Sequence, residues 1–191
     1  MLEDKKHAIW ESFLKDRIII FNDEIEDDIL ETVTMQVIRF GIEDDMAEKK
    51  EIGYDRKTKP IQIYINSRGG TVRDGLSCAS SILSSKTPVI TIAMGLAASA
   101  AFIVFLAGHT RKMQKHSSLM YHQISSWGFG RIQDQAEDLQ ESYRLQKVVD
   151  DIVTSRTKLD QTMLDQINMC KHDYYIDAKL ARKYKCADVI I

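Results

Sequence analysis

The chain has 191 residues, and its 26 Lys and Arg nearly balance its 28 Asp and Glu, giving a formal net charge of -2. This length suits one domain with a substantial core rather than two domains. The near-neutral charge argues against a surface built to bind nucleic acid or an anionic membrane. The three cysteines are far apart and odd in number, which favours reduced packing residues over disulfides or a zinc cluster. Since no secretory signal is visible at the N-terminus, we expect a cytoplasmic protein.

Short strands alternate with helices along the chain. A helix over HAIWESFLKDR precedes the strand IIIF, and a second helix follows with apolar residues at helical intervals: Ile29, Val33, Val37 and Phe40. The charged segment 47–60 is predicted to be a surface loop. A strand over residues 61–66 ends at the glycine pair of SRGGTV, and DGLSCASSILSS forms the next helix. This alternation predicts an α/β fold whose active groups lie at strand ends.

The uncharged stretch 89–108 is about as long as the roughly 20 residues of a membrane-spanning helix. Its residue types favour another interpretation, because residues 89–92 are β-branched and residues 97–107 are rich in Ala, Leu and Phe. We predict a strand that turns at Gly95 into a helix. Ser99 would then lie in the first helical turn, where unpaired N–H groups and the helix dipole favour a developing oxyanion. A serine that merely allows close helix packing would look the same, so the nucleophile hypothesis requires a base.

The candidate bases are the five histidines. His7, His109 and His116 lie in charged segments and are predicted to be solvated, whereas His122 lies where the short apolar strand SSLMYHQI ends. A histidine at such a position is also a common structural residue, so position alone leaves its role open. The spacing of His109, His116 and His122 matches no metal-binding motif, and we expect neither a metal nor a cofactor.

Four motifs follow one another along the chain: YINSRGGTV, GLAASAAF, LMYHQI and HDYYIDAKLARKYKCAD. In this order and at these separations they resemble the ClpP family, the proteolytic subunits of the caseinolytic (Clp) proteases, over nearly the whole chain. The resemblance implies a single ClpP-like domain over residues 1–191, built as a crotonase-like spiral of strand-strand-helix units. It also implies a protruding helical handle at about residues 123–157.

The handle would contain the predicted helix 132–152, whose apolar face carries Ala136, Leu139, Tyr143 and Val148. In the family the handle packs one seven-membered ring on another. The resemblance therefore implies self-association into such rings, stacked in pairs. An ordinary core helix has the same periodicity, and the pattern does not separate the two.

The resemblance also implies a serine endopeptidase that hydrolyses unfolded proteins and short peptides inside the ring through an acyl-enzyme. Ser99 occupies the position of the nucleophile, His122 that of the base and Asp173 that of the acid. The backbone N–H groups of Gly70 and Ala100 occupy the positions of the oxyanion hole.

Several positions depart from the family pattern. Asp177 is a second acid close to the motif, but it aligns outside the triad and is predicted to begin a helix. Arg68, Ala101 and Ile124 replace a proline, a glycine and a proline of the family motifs. Only MLEDKKH stands where the family has a pore loop that engages an AAA+ unfoldase, which leaves dependence on such a partner open. The segment 47–60 is also longer than expected.

The two residues before Asp173 differ from the family as well. Family members commonly carry an acidic residue and then an arginine there, and these pair across the ring interface. Here the positions hold Lys171 and His172, which cannot form that ion pair. We therefore expect weaker coupling between stacked rings than in the family.

Two other functions stay open at this point. One is a non-catalytic ClpP-like ring subunit that regulates or scaffolds an active partner. The other is a crotonase-like acyl-CoA enzyme, which would use the same oxyanion hole without needing Ser99.

Overall fold

A computed structural model describes residues 2–125 and 130–191, with side chains from residue 8 onward. Residues 126–129 of the predicted handle and the side chain of His7 lie outside the described part. The helices are α1 (Leu2–Lys15), α2 (Met35–Lys50, continuing a π-helical turn at Leu30–Thr34), α3 (Val72–Ser84), α4 (Ala100–Ala107), α5 (Ile132–Arg156), α6 (Gln161–Cys170) and α7 (Ala178–Lys183). The strands are β1 (Ile18–Phe21), β2 (Ile61–Ser67), β3 (Val89–Ala98), β4 (Thr110–Met113), β5 (Ser118–Tyr121), β6 (Tyr174–Ile176) and β7 (Val189–Ile190).

The strands form one mostly parallel sheet in the order β1-β2-β3-β4-β7. The long strand β3 pairs with β4 along its first half and with β5 along its last three residues, and β6 runs antiparallel to β5. The carboxyl ends of β2, β3 and β5 therefore meet at one edge of the sheet. The predicted α/β fold is confirmed, and this edge is where its active groups are expected.

Helix α4 lies in the centre of the molecule. Every residue from Ala100 to Ala107 is buried, and the helix packs on β3 and against α3 and α5. A helix that is apolar on all sides belongs inside a core. The uncharged stretch is thus divided between a strand and a buried helix. Within residues 2–125 and 130–191, no helix has both the length and the apolar character needed to cross a membrane.

The predicted turn at Gly95 is wrong. Gly95 has a φ of +90° but lies inside β3, which continues to Ala98, and the helix begins at Ala100 rather than at residue 97. Residues 96–98 are extended because they pair with β5, and the side chain of Asn66 accepts a hydrogen bond from the Leu96 N–H at 3.1 Å. Pairing with neighbouring strands overrides the helix propensity of the alanines.

The segment 47–60 is only partly the predicted surface loop. Helix α2 continues to Lys50, and Arg56 is buried. The Arg56 guanidinium donates to Asp45 Oδ1 at 2.7 Å and to Glu48 Oε1 at 2.6 Å. Because both partners of Arg56 belong to α2, these contacts fold the end of the segment back onto that helix.

Helix α5 contacts the core only along its second half, where Leu145, Val149 and Val153 are buried. In its first half Leu139 and Tyr143 are 51% and 65% exposed. The predicted apolar face is thus not a core face. The first half of α5 projects from the molecule, as expected for a handle.

The three cysteines are free thiols. Cys78 and Cys186 are buried, and burial raises the pKa of each thiol to about 12. Cys170 is exposed at the end of α6, so the packing prediction is wrong for that residue. Its side chain lies on the outer surface because only Leu164 of α6 is buried.

Candidate active site

Ser99 stands between β3 and α4 in an unusual backbone conformation. Its φ of +54° and ψ of -124° are rarely adopted by a residue with a side chain. Such a conformation costs about 1–3 kcal/mol and persists only where its surroundings enforce it. Here the Ser99 N–H donates to the Met120 carbonyl at 2.9 Å, and buried α4 follows directly. A strained strand–turn–helix of this kind presents the nucleophilic serine in α/β-hydrolases.

His122 and Asp173 face each other because of the register between β5 and β6. Tyr121 pairs with Tyr174 in this antiparallel ladder, so the next residues outward are opposite one another. His122 Nδ1 lies 3.3 Å from Asp173 Oδ1, and His122 Nε2 lies 2.8 Å from Ser99 Oγ. An imidazole with its proton on Nδ1 donates to the carboxylate and accepts from the hydroxyl. The structure therefore brings the three predicted residues together, with a hydrogen bond between His122 and Ser99 and a 3.3 Å contact between His122 and Asp173.

The glycine pair after β2 allows a close approach to Ser99. A Cβ on Gly69 would lie 2.6 Å from the Ala98 carbonyl oxygen and 2.7 Å from Ser99 Cβ. A Cβ on Gly70 would lie 2.2 Å from the Ile25 carbonyl oxygen, and both glycines have a positive φ. Only glycine fits either position, because a Cβ would displace the backbone beside Ser99 at Gly69 and the backbone of Ile25 at Gly70.

The two residues of the predicted oxyanion hole, Gly70 and Ala100, lie beside the same cavity as Ser99. Around Gly70, the Ile25 N–H donates to the Gly69 carbonyl and the Thr71 N–H donates to the Ile25 carbonyl, at 2.8 and 2.7 Å. In such a parallel bridge the N–H of the central residue, Gly70, points to the opposite side. Ala100 is the first residue of α4, so its N–H has no partner inside the helix. Both residues line the cavity with Ser99 and His122.

The cavity has a volume of about 280 Å³. Its lining is mainly apolar and aromatic, with Val72, Ile103, Tyr121, Ile124 and Val149. Arg73 lies at its rim and was not among the residues predicted from sequence. The signal that could have identified it is its position three residues after Gly70, at the same strand end.

A buried network supports the wall formed by Tyr121 and Ile124. The Tyr121 hydroxyl and Gln146 Nε2 donate to Asp150 Oδ1 at 2.6 and 2.8 Å, and the Ile124 N–H donates to Gln146 Oε1 at 2.8 Å. Burial raises the pKa of Tyr121, and the hydrogen bond to the Asp150 carboxylate raises it further. The second half of α5 is thereby joined to the segment that follows His122.

Other candidates from the sequence have different roles. The Asp177 side chain accepts a hydrogen bond from the Leu180 N–H at 2.8 Å, which confirms that Asp177 begins a helix. His109 is exposed, as predicted, and its Nδ1 accepts a hydrogen bond from the Val89 N–H at 3.0 Å. Burial lowers the pKa of His109. Neither residue is part of the group formed by Ser99, His122 and Asp173.

An α/β fold that aligns a serine hydroxyl, an imidazole and a carboxylate in this way has the arrangement used by serine hydrolases. The profile of the Clp protease family matches residues 2–191, and the chain belongs to that family. Over 190 residues it is 30% identical to the "ATP-dependent Clp protease proteolytic subunit 1" of Shouchella clausii (strain KSM-K16), an alignment that covers 98% of this chain and 91% of the relative. The resemblance stated from the motifs is confirmed.

Proposed function

We propose that this protein is a serine endopeptidase whose catalytic triad is Ser99, His122 and Asp173. The observation that carries the proposal is the pair of contacts at His122, 2.8 Å to Ser99 Oγ and 3.3 Å to Asp173 Oδ1. The family membership supports a peptidase, and the strained turn at Ser99 supports a nucleophile.

In the proposed reaction, Ser99 Oγ attacks the peptide carbonyl carbon while His122 Nε2 takes the hydroxyl proton. The carbonyl oxygen becomes an oxyanion that accepts hydrogen bonds from the Gly70 and Ala100 N–H groups. His122 then gives its proton to the leaving amine, which leaves an acyl-enzyme on Ser99. Water activated by His122 hydrolyses this ester, and Asp173 stays ionised and orients the imidazole throughout.

The proposal includes a compartment made by self-association. The chain would act as one ClpP-like domain in seven-membered rings stacked in pairs, with the projecting half of α5 as the handle. The exposed Ile132, Leu139 and Tyr143 of that helix support a contact that covers apolar surface. Short peptides would enter unaided, and an AAA+ unfoldase would deliver unfolded proteins. The free thiols fit the reducing cytoplasm, where we place the protein.

The test is hydrolysis of short fluorogenic peptides by wild-type protein and by Ser99→Ala. We expect Ser99→Ala to lose at least about a thousandfold in kcat/KM, since the attacking atom is gone. Ser77→Ala, an exposed serine on α3, is the matched control and should keep full activity. Sedimentation velocity should show the same assembly for all three proteins.

Unchanged cleavage by Ser99→Ala would contradict the proposal. Assembled wild-type rings that cleave no peptide would instead favour a non-catalytic ring subunit.

A further inference from the structure

Arg73 gives the cavity a charge that its other walls lack. It lies in the first turn of α3, and its side chain is 63% exposed at the cavity rim. Among the described residues that line the cavity, Arg73 alone carries a permanent charge. The neighbouring Asp74 is not part of that lining. A substrate bound beside Ser99 therefore lies near one cationic side chain, that of Arg73.

Glu141 of α5 only partly neutralises the charge of Arg73. Arg73 Nη2 lies 3.0 Å from Glu141 Oε1, while Arg144 holds the same carboxylate through Nε at 2.6 Å and Nη2 at 2.8 Å. The Arg144 hydrogen bonds, helped by Arg73, lower the pKa of Glu141 to about 2. One carboxylate thus faces two guanidinium groups, and the cluster keeps a net charge of +1.

The guanidinium of Arg73 has N–H donors that its contact with Glu141 does not use. Arginine carries five N–H donors in a planar fork that matches a carboxylate, and Glu141 engages one nitrogen of Arg73. A second carboxylate can therefore bind Arg73 without breaking its contact with Glu141. The other described residues that line the cavity carry no permanent charge, so they offer no competing cation for such a group.

We propose that Arg73 is a specificity-determining residue that favours substrates with a carboxylate next to the scissile bond. The carboxylate is either an acidic side chain or the free C-terminus of a short peptide, and a basic side chain there is disfavoured by repulsion. This inference rests on the proposed peptidase function. Because Arg73 is largely exposed, the preference is about 2- to 5-fold in kcat/KM and falls as salt is added.

The experiment compares peptides that differ only by Glu or Gln at each of the three positions on either side of the cleaved bond. Each peptide is made with a free and with an amidated C-terminus, which separates the two sources of carboxylate. We expect wild-type protein to favour Glu over Gln about 2- to 5-fold in kcat/KM at one or more of these positions. In Arg73→Gln, the ratio of kcat/KM for the Glu peptide to kcat/KM for the Gln peptide should be close to one. Glu141→Gln should raise this ratio, because Arg73 then loses its ion pair with the Glu141 carboxylate.

Arg182→Gln is the control for the loss of one arginine charge. Arg182 lies in α7 on the exposed surface and outside the cavity lining, so the ratio should keep its wild-type value. A ratio that falls equally in Arg73→Gln and Arg182→Gln would overturn the inference, since net charge would then explain the preference.

The outcomes distinguish this inference from the peptidase proposal. Cleavage of all peptides with equal kcat/KM would overturn the role of Arg73 and leave the peptidase intact. If no peptide is cleaved, the role of Arg73 is tested by binding instead. Fluorescence anisotropy gives the Kd of each labelled peptide for Ser99→Ala and for the double variant Ser99→Ala/Arg73→Gln. A Kd ratio of about 2 to 5 that depends on Arg73 supports the selectivity, and equal Kd values overturn it.

Discussion

Replacing Asp150 with alanine removes the acceptor at the centre of the network behind the cavity wall. Asp150 is 6% exposed and Tyr121 is 1% exposed. Asp150 Oδ1 accepts from the Tyr121 hydroxyl at 2.6 Å and from Gln146 Nε2 at 2.8 Å, and Oδ2 accepts from Gln161 Nε2 at 3.3 Å. The alanine variant leaves the buried Tyr121 hydroxyl proton without its acceptor.

The expected loss follows from these contacts. A hydrogen bond to a charged group contributes about 1.5–3 kcal/mol, and an unsatisfied buried hydroxyl costs about 1–3 kcal/mol. Relief of the buried carboxylate's desolvation offsets part of this, so we expect Asp150→Ala to lower the free energy of unfolding by about 3 kcal/mol. For a chain of this length that corresponds to a fall in Tm of roughly 6–12 °C. Asp150→Asn keeps one acceptor oxygen and should lose about half as much.

The assay is urea unfolding at fixed protein concentration, with Tyr121→Phe and the double variant Tyr121→Phe/Asp150→Ala completing a cycle. We expect a coupling energy of about 2 kcal/mol between the two residues. We also expect kcat/KM to fall in Asp150→Ala, because Gln146 then holds the Ile124 segment beside His122 less firmly. A coupling below about 0.5 kcal/mol would show that the network does not act as a unit.

Three further predictions concern the backbone at the site, acid stability and ring assembly. Gly70→Ala should lower kcat about a hundredfold, because its Cβ would clash with Ile25 and move the Gly70 N–H; an unchanged kcat contradicts the oxyanion role. Burial alone would raise the pKa of Asp44, but hydrogen bonds from its partners lower it from 3.8 to about 2. Its contribution of about 2 kcal/mol is therefore complete above about pH 4 and lost towards pH 2, and urea unfolding of Asp44→Asn should lack this loss. The double change Lys171→Asp and His172→Arg should raise the double-ring fraction and peptidase activity together in sedimentation and hydrolysis assays, and an unchanged ring distribution refutes the coupling.

The order of elements could be predicted because local patterns determine it. The apolar spacing at Ile29, Val33, Val37 and Phe40 predicts a core-facing helical segment, and all four residues are buried. The boundary at Gly95 could not be predicted, because the extension of β3 depends on pairing with β5, which lies more than twenty residues further along the chain.

In the candidate site, too, local sequence patterns predict some features, whereas others depend on tertiary contacts. Local patterns single out Ser99, the hydroxyl inside an uncharged stretch, and His122, at the end of a short apolar strand. Family resemblance predicts their roles and adds Asp173. Asp150 could not be found in this way, because an acidic residue in an amphipathic helix is usually solvated. Its burial against Tyr121 follows from how α5 packs against α4, which no local pattern encodes. Arg73 was missed because one arginine in a first helical turn is common.

The central claim is that His122 activates Ser99 as a nucleophile, and reaction with a fluorophosphonate probe tests it most directly. Such probes modify activated serines, and mass spectrometry of the digested protein locates the adduct. We predict one adduct, on Ser99, that is absent in Ser99→Ala and forms at least about a hundredfold more slowly in His122→Ala. No adduct on the assembled protein, an adduct on another serine, or labelling of Ser99 at an unchanged rate in His122→Ala would contradict the claim.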